Sequence, residues 1–282
     1  MTLPAHPDAM PASWRRALRD ATERSPAQPR VGLRRSTDGA LIGSIERGLL
    51  SEMRAARLPL TGETAAGVAL DAAPDIALAA LAGWLRARSS RWREEPLDVL
   101  DAEGHALATV ARDAARPLGI TTRAVHLLGH TDDGRVWLQQ RANDKPTDPN
   151  AWDTLVGGLV SAGESLTTAL ARETWEEAGL DLHALRALRH LGRVWIRRPV
   201  PEGLQVQHIE VFDARLDDTQ RPENRDGEVQ GFACVSREAL AARLLDGVFT
   251  LEAALAFDHG WSALFAASPA AAGAAPHEPP RS

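Results

Sequence analysis

Residues 158–180, GLVSAGESLTTALARETWEEAGL, restrict what the chain can fold into more than any other stretch. Ser165 is suited to cap a helix, no Pro or Gly interrupts the run through Ala178, and Gly179 is placed to end it. Leu166, Ala169 and Leu170 mark the side that should be buried. At about 100° per residue, Glu173, Glu176 and Glu177 then project within roughly a 100° arc of the helix surface. Crowded carboxylates raise one another's pKa and resist joint ionisation unless a positive group sits among them. Hard oxygen ligands suit magnesium or manganese, and magnesium bridges a few carboxylates to phosphate oxygens while keeping several waters. The expectation is a phosphate-handling site whose cation orients a diphosphate and activates a bound water. Arg172, eight residues after Glu164, is positioned to tie loop to helix through an ion pair. A Glu pair alone would read as the solvated end of a surface helix.

Around this segment the pattern alternates between strands and helices. TTRAVHLLGH, the turn at Asp132 to Gly134 and VWLQQR form a predicted hairpin. After the loop ANDKPTDPNAWD and the acidic helix come the strands RHLGRVWI, QHIEVFDARL and VQGFACV, then two closing helices capped by Ser236 and Thr250. That order predicts a mixed sheet flanked by helices, an α/β sandwich, over residues 117–265. Residues 1–116 read as a small α+β module of unassigned role, with a helix capped by Ser13, helix-like GLLSEMRAARL and PDIALAALAGWLRAR, and strands VGLRR, LDVLD and HALATVA. Residues 266–282 are Ala- and Pro-rich and are expected to be a disordered tail.

Composition sets outer limits. With 32 Lys and Arg against 38 Asp and Glu the formal net charge is −6, which argues against a nucleic-acid-binding surface. No apolar run approaches the roughly 20 residues of a membrane span, and the N-terminus shows no apolar stretch after a basic start. The single cysteine, Cys234, has no partner for a disulfide or metal cluster and is expected to be a core thiol. A cytoplasmic location without membrane contact is the expectation.

The spacing of the acidic segment resembles the Nudix box: Gly, five residues, Glu, seven residues, then Arg-Glu-x-x-Glu-Glu-x-Gly. Gly158, Glu164, Arg172, Glu173, Glu176, Glu177 and Gly179 fill its fixed positions, with Thr174 where a bulkier aliphatic is commoner. The resemblance implies a Nudix α/β/α sandwich and a pyrophosphohydrolase dependent on Mg2+, with Mn2+ as the substitute. It further implies Glu173, Glu176, Glu177 and the Gly157 carbonyl as metal ligands, with Glu164 supporting them. Glu228 stands where many members bring a loop carboxylate, as general base or extra ligand. Arg141 and Lys145 flank the loop facing the box and are candidates for phosphate contact.

PLGITTRAVHLLGH, the stretch from Arg141 through the box, and PENRDGEVQGF resemble the Nudix domains related to the N-terminal region of fungal thiamine pyrophosphokinases. That likeness implies a small-molecule diphosphate substrate, thiamine diphosphate or its oxidised analogues. Because a cation over an indole face is attractive, Trp152 and Trp195 are candidate stacking surfaces, whereas Trp137, in its strand, is expected to pack in the core. Nucleotides and sugar nucleotides stay open as substrates, as does a homodimer. VWLQQRANDKPTDPNAWD also resembles isopentenyl-diphosphate isomerase, but DTLVGG holds no cysteine where that enzyme needs one. A ligand-sensing protein that has abandoned catalysis is the non-enzyme alternative, and the intact carboxylate set weighs against it.

Overall fold

The computed structural model describes residues 9–64 and 67–265, so the predicted tail at 266–282 lies outside the described residues. In chain order the elements of the first part are α1 (Ala12–Thr22), β1 (Arg30–Arg34), β2 (Leu41–Glu46), α2 (Arg47–Ala55), β3 (Leu60–Thr64), β4 (Gly67–Leu70), α3 (Pro74–Arg86), β5 (Pro96–Leu100), β6 (Ala106–Ala111) and α4 (Arg112–Ala115). There follow β7 (Thr121–His130), β8 (Val136–Arg141), β9 (Trp152–Asp153), β10 (Val156–Leu159), α5 (Leu166–Ala178), β11 (Arg186–Val200), β12 (Gly203–Arg215), β13 (Val229–Val235), α6 (Arg237–Leu245) and α7 (Leu251–Phe265).

β7 organises the molecule. It is buried from Ala124 to His130, as a strand covered on both faces must be. The sheet runs β11-β12-β7-β8-β13, with β10 also on β7 and β9 on β8. β7 and β12 are parallel and the other pairs antiparallel, so the sheet is mixed. Alternation sorts the side chains: Val125 and Leu127 join Ala169, Leu170 and Ala178 of α5, whereas Ala124 and Leu128 join Leu240 of α6 and Phe257 and Trp261 of α7. The result is the expected α/β/α sandwich. β7 meets β10 over Ala124–Leu127 and β8 only at Gly129 and His130, so the two partners occupy successive lengths of the same edge.

The N-terminal segment builds a second core. Its sheet runs β2-β1-β4-β3, β5 and β6 form a hairpin, and Leu33, Ile45, Met53, Leu78, Leu81 and Leu118 are buried together. The division expected after residue 116 falls between α4 and β7. α1, however, packs its Leu18 and Trp14 into the α7 side of the other core. Helix α1 also starts differently from expectation. Pro11 occupies the N-cap with no side-chain bond, and Ser13 lies inside the first turn, because the fixed φ of proline already sets the entry. Ser165, Ser236 and Thr250 do cap their helices. Cys234 is half-buried rather than a core residue, since β13 pairs only with β8 and forms the sheet edge. Among the described residues no helix is long and apolar enough to cross a membrane.

Candidate active site

Helix α5 is built as its sequence demands. The Ser165 hydroxyl accepts the Thr168 N–H at 3.1 Å, and Gly179 adopts φ 62°, the left-handed cap that favours glycine. Thr174 is fully buried, with its hydroxyl donating to the Leu170 carbonyl at 2.6 Å, so the substituted position leaves no unsatisfied polar group.

Arg172 is the hub of the acidic face. Its Nε and Nη2 grip Glu164 at 2.9 Å each, Nη1 donates to Glu173 at 2.8 Å and Glu176 at 3.2 Å, and Nη2 also reaches the Leu159 carbonyl at 3.1 Å. The fork geometry of guanidinium allows this multiple capture. The Glu164 hydrogen bond to Arg172 holds that carboxyl below its usual range. The expected loop-to-helix pair is therefore present, and it also gathers two of the three helix carboxylates.

Glu177 takes the other route. It is 2% exposed, and its Oε2 accepts from Gln139 Nε2 at 3.0 Å and from the Gly157 N–H at 2.9 Å. Burial pushes it up to about 8, and burial pushes Glu173 up to about 7 against the pull of Arg172. β10 is what admits them. A Cβ at Gly158 would sit 2.0 Å from the Glu173 carboxyl carbon, and one at Gly157 would sit 2.8 Å from Cε1 of His126. Two glycines thus let carboxylates from one side of the strand and an imidazole from the other approach the same backbone.

Glu228 and Lys145 form an ion pair. Burial is the largest single influence and raises Glu228, but the Lys145 hydrogen bond together with the charges of Lys145, Arg112 and Arg141 holds the carboxyl below its ordinary value. Arg141 donates to the Thr147 carbonyl at 3.1 Å and stands 3.5 Å from Asp153, while its buried Nε has no hydrogen-bond partner among the described residues. These three residues line one cleft of about 860 Å³ together with Gly157 and Gly158. The cleft runs between the N-terminal core and the α7 side of the sheet, where pockets for small ligands commonly form.

The structure thus brings Glu164, Arg172, Glu173 and Glu176 into direct contact, joins Glu177 to Gly157, and sets Glu228, Lys145 and Arg141 along the adjoining cleft. Trp137, Trp152 and Trp195 do not line it: Trp137 packs toward α5, Trp152 toward α7 beneath Arg243, and Trp195 is exposed on β11. The tryptophan at the cleft is Trp92, from the segment before β5. Gln139 was also missed as a site residue, and His126, across Gly157 from the carboxylates, is a satisfied buried histidine bonded to the Thr154 hydroxyl at 2.9 Å. Both are polar residues at cross-strand periodicity inside apolar runs, a pattern that marks buried polar partners without saying for whom.

The donor set suits a hard divalent cation: carboxylates on adjoining turns of α5, two of them raised by burial, beside the glycine pair of β10. In the conformation described, the carboxylates are turned onto Arg172, Gln139 and Gly157. Among the described residues no group of three or more His, Cys, Asp or Glu side chains is disposed to hold an ion.

A NUDIX domain family model matches residues 92–253, more than half of the chain. A curated protein of Streptomyces coelicolor named as an uncharacterized Nudix hydrolase is 35% identical over 86 residues, 30% of this chain and 48% of that one. A Nudix hydrolase of Deinococcus radiodurans is 29% identical over 159 residues, 55% of this chain and 86% of its own length. The chain spans about half the length of the first curated relatives it matches. A crystal structure of a Deinococcus radiodurans protein matches with TM-score 0.46 and 24% identity, covering 55% of this chain and 92% of that one.

Proposed function

The chain belongs to the NUDIX domain family, and from that membership and the chemistry of its site we propose that it is a magnesium-dependent hydrolase of small diphosphates. The observation that carries the proposal is half-buried Glu173 and buried Glu177, both raised by burial, set against the glycine pair of β10, whose backbone also lines the cleft that holds Arg141, Lys145 and Glu228. Glu173, Glu176, Glu177 and the Gly157 carbonyl would hold the cation. When bound, that ion neutralises the diphosphate and lowers the pKa of a water.

The protein groups supply the remainder. Arg172 fixes Glu164, Glu173 and Glu176 in one array, and Gln139 fixes the Glu177 oxygen that faces Gly157. Arg141 and Lys145 both line the cleft and are the cations positioned to bind phosphate oxygens, Lys145 while it keeps its ion pair with Glu228. Glu228, held ionised below the usual carboxyl range, accepts the proton of the attacking water. The water oxygen bonds to phosphorus, the anhydride P–O bond breaks, and monophosphate and orthophosphate leave. Thiamine diphosphate and its oxidised analogues are the substrates favoured by the sequence resemblance.

Substituting Glu177→Gln should lower turnover by at least about a hundredfold through loss of a metal ligand while the fold persists. The measurement is a magnesium-supplemented hydrolysis panel of thiamine diphosphate, its oxo and oxy analogues, nucleotides and sugar nucleotides, with products identified by mass. Unchanged turnover in the variant overturns the proposal, and a preference for nucleotides removes the thiamine assignment alone.

A further inference from the structure

The cleft extends from Gly157 across β7 and β12 to the start of α7, where Thr122, Gln205, Gln207 and Glu252 line it together with Asp148. Thr122 and Gln207 are register partners in the parallel β7–β12 pair, so both side chains project to the same side, and Gln205 follows by strand alternation. None of these residues takes part in the chemistry described above.

Gln205 is the pivot of this wall. Its Oε1 accepts from Arg198 Nε at 3.0 Å, and its Nε2 donates to Gln207 Oε1 at 2.9 Å and to Glu252 Oε1 at 2.7 Å. Arginine only donates and an ionised carboxylate only accepts, so the orientation of the Gln205 amide is dictated by its neighbours. That orientation in turn dictates Gln207: its oxygen faces Gln205 and its amide nitrogen faces away. Gln207 is 9% exposed and lines the cleft, and its Nε2 has no partner among the described residues. Glu252 lies in the first turn of α7, after Thr250 accepts the Ala253 N–H at 3.1 Å. Its second oxygen accepts no hydrogen bond among the described residues, and neither does the Asp148 carboxylate, which burial and the charge of Glu252 hold above its usual range.

The wall therefore offers an N–H donor beside an anionic acceptor, both anchored on one Gln205 nitrogen. We propose that this end of the cleft selects the non-phosphate half of the substrate by its hydrogen-bonding edge. The class selected is an amino-substituted nitrogen heterocycle, with the ring nitrogen accepting from Gln207 and the exocyclic amine donating to Glu252. The oxo tautomer of the same ring presents the reverse order, oxygen toward the carboxylate and N–H toward the amide N–H, so both contacts become repulsive. This assignment rests on the reading that the diphosphate end lies at Gly157, and it narrows the substrates proposed there to those that keep the ring amine.

The test reads binding without hydrolysis. Calorimetry in excess chelator compares cytidine diphosphate with uridine diphosphate, adenosine diphosphate with inosine diphosphate, and thiamine diphosphate with its oxy analogue, on the full chain. The amino member of at least one pair should bind at least about tenfold more tightly. Glu252→Gln should erase or invert that preference, because the amide then offers an N–H to the oxo oxygen. Gln207→Glu is the second variant, and thermal melts establish that each is folded. Equal affinity within every pair, preference for the oxo member, no binding of any probe, or a preference untouched in folded Glu252→Gln each overturns the proposal. Since turnover is not measured, failure of the hydrolase reading is seen separately, in the Glu177→Gln assay.

Discussion

Glu177 and Glu173 occupy positions where water has been replaced by protein, and the consequence is a defined pH dependence. Both have folded-state values raised, to about 8 and about 7, above the ordinary 4.5. The folded chain then binds protons more tightly than the unfolded one, and stability falls as pH rises wherever that holds. The stabilising contribution of the protonated carboxyls is complete below about pH 4.5 and lost as pH rises through their folded values. We expect the melting temperature of metal-free wild type, measured relative to Glu177→Gln, to decline between pH 5 and 8, with magnesium restoring it most at the alkaline end. A difference that stays flat across that range would show that Glu177 ionises as easily folded as unfolded.

At the scale of elements, β10 matters for what it lacks. Glycine weakens a strand, yet two stand together here because a neighbour's side chain occupies the space a Cβ would take. At Gly158 that neighbour is the carboxyl end of Glu173, which is flexible, so Gly158→Ala displaces Glu173 and not the backbone. The expected outcome is magnesium affinity weaker by about tenfold, from a displaced ligand, with the melting temperature nearly unchanged. Titration of activity against magnesium measures the first and calorimetry the second. A large loss of stability with unaltered metal dependence would place the role of Gly158 in packing.

For the whole molecule, the N-terminal core reaches into the site. Ala162 N–H donates to the Pro96 carbonyl at 2.8 Å, Gly163 N–H to Asp98 at 3.1 Å, and the Ser161 hydroxyl to Glu95 at 3.0 Å. The loop carrying Glu164 is thus clamped by the start of the β5–β6 hairpin, and Glu164 in turn anchors Arg172. Asp98→Ala should raise the magnesium concentration for half-maximal activity by about tenfold, as loss of support around a metal ligand does. An unaltered magnesium requirement would leave the N-terminal core out of site organisation and confine it to the cleft wall.

Local sequence determined helix α5 and its carboxylate face, because capping, helical period and the glycine stop are all encoded within the segment itself. β7, β8 and β13 were legible for the same reason, their apolar runs being bounded by turn residues. The Glu164–Arg172 pair follows from spacing across the cap and the first two turns of α5. Partners distant in sequence were not legible. Gln139 on Glu177, β5 on the 161–163 loop, Trp92 at the cleft and the Gln205–Gln207–Glu252 array join residues 38 or more positions apart, or depend on which face a strand presents. Periodicity states that a side chain points inward, and only the packing of sheet against helix and core against core decides what it meets there.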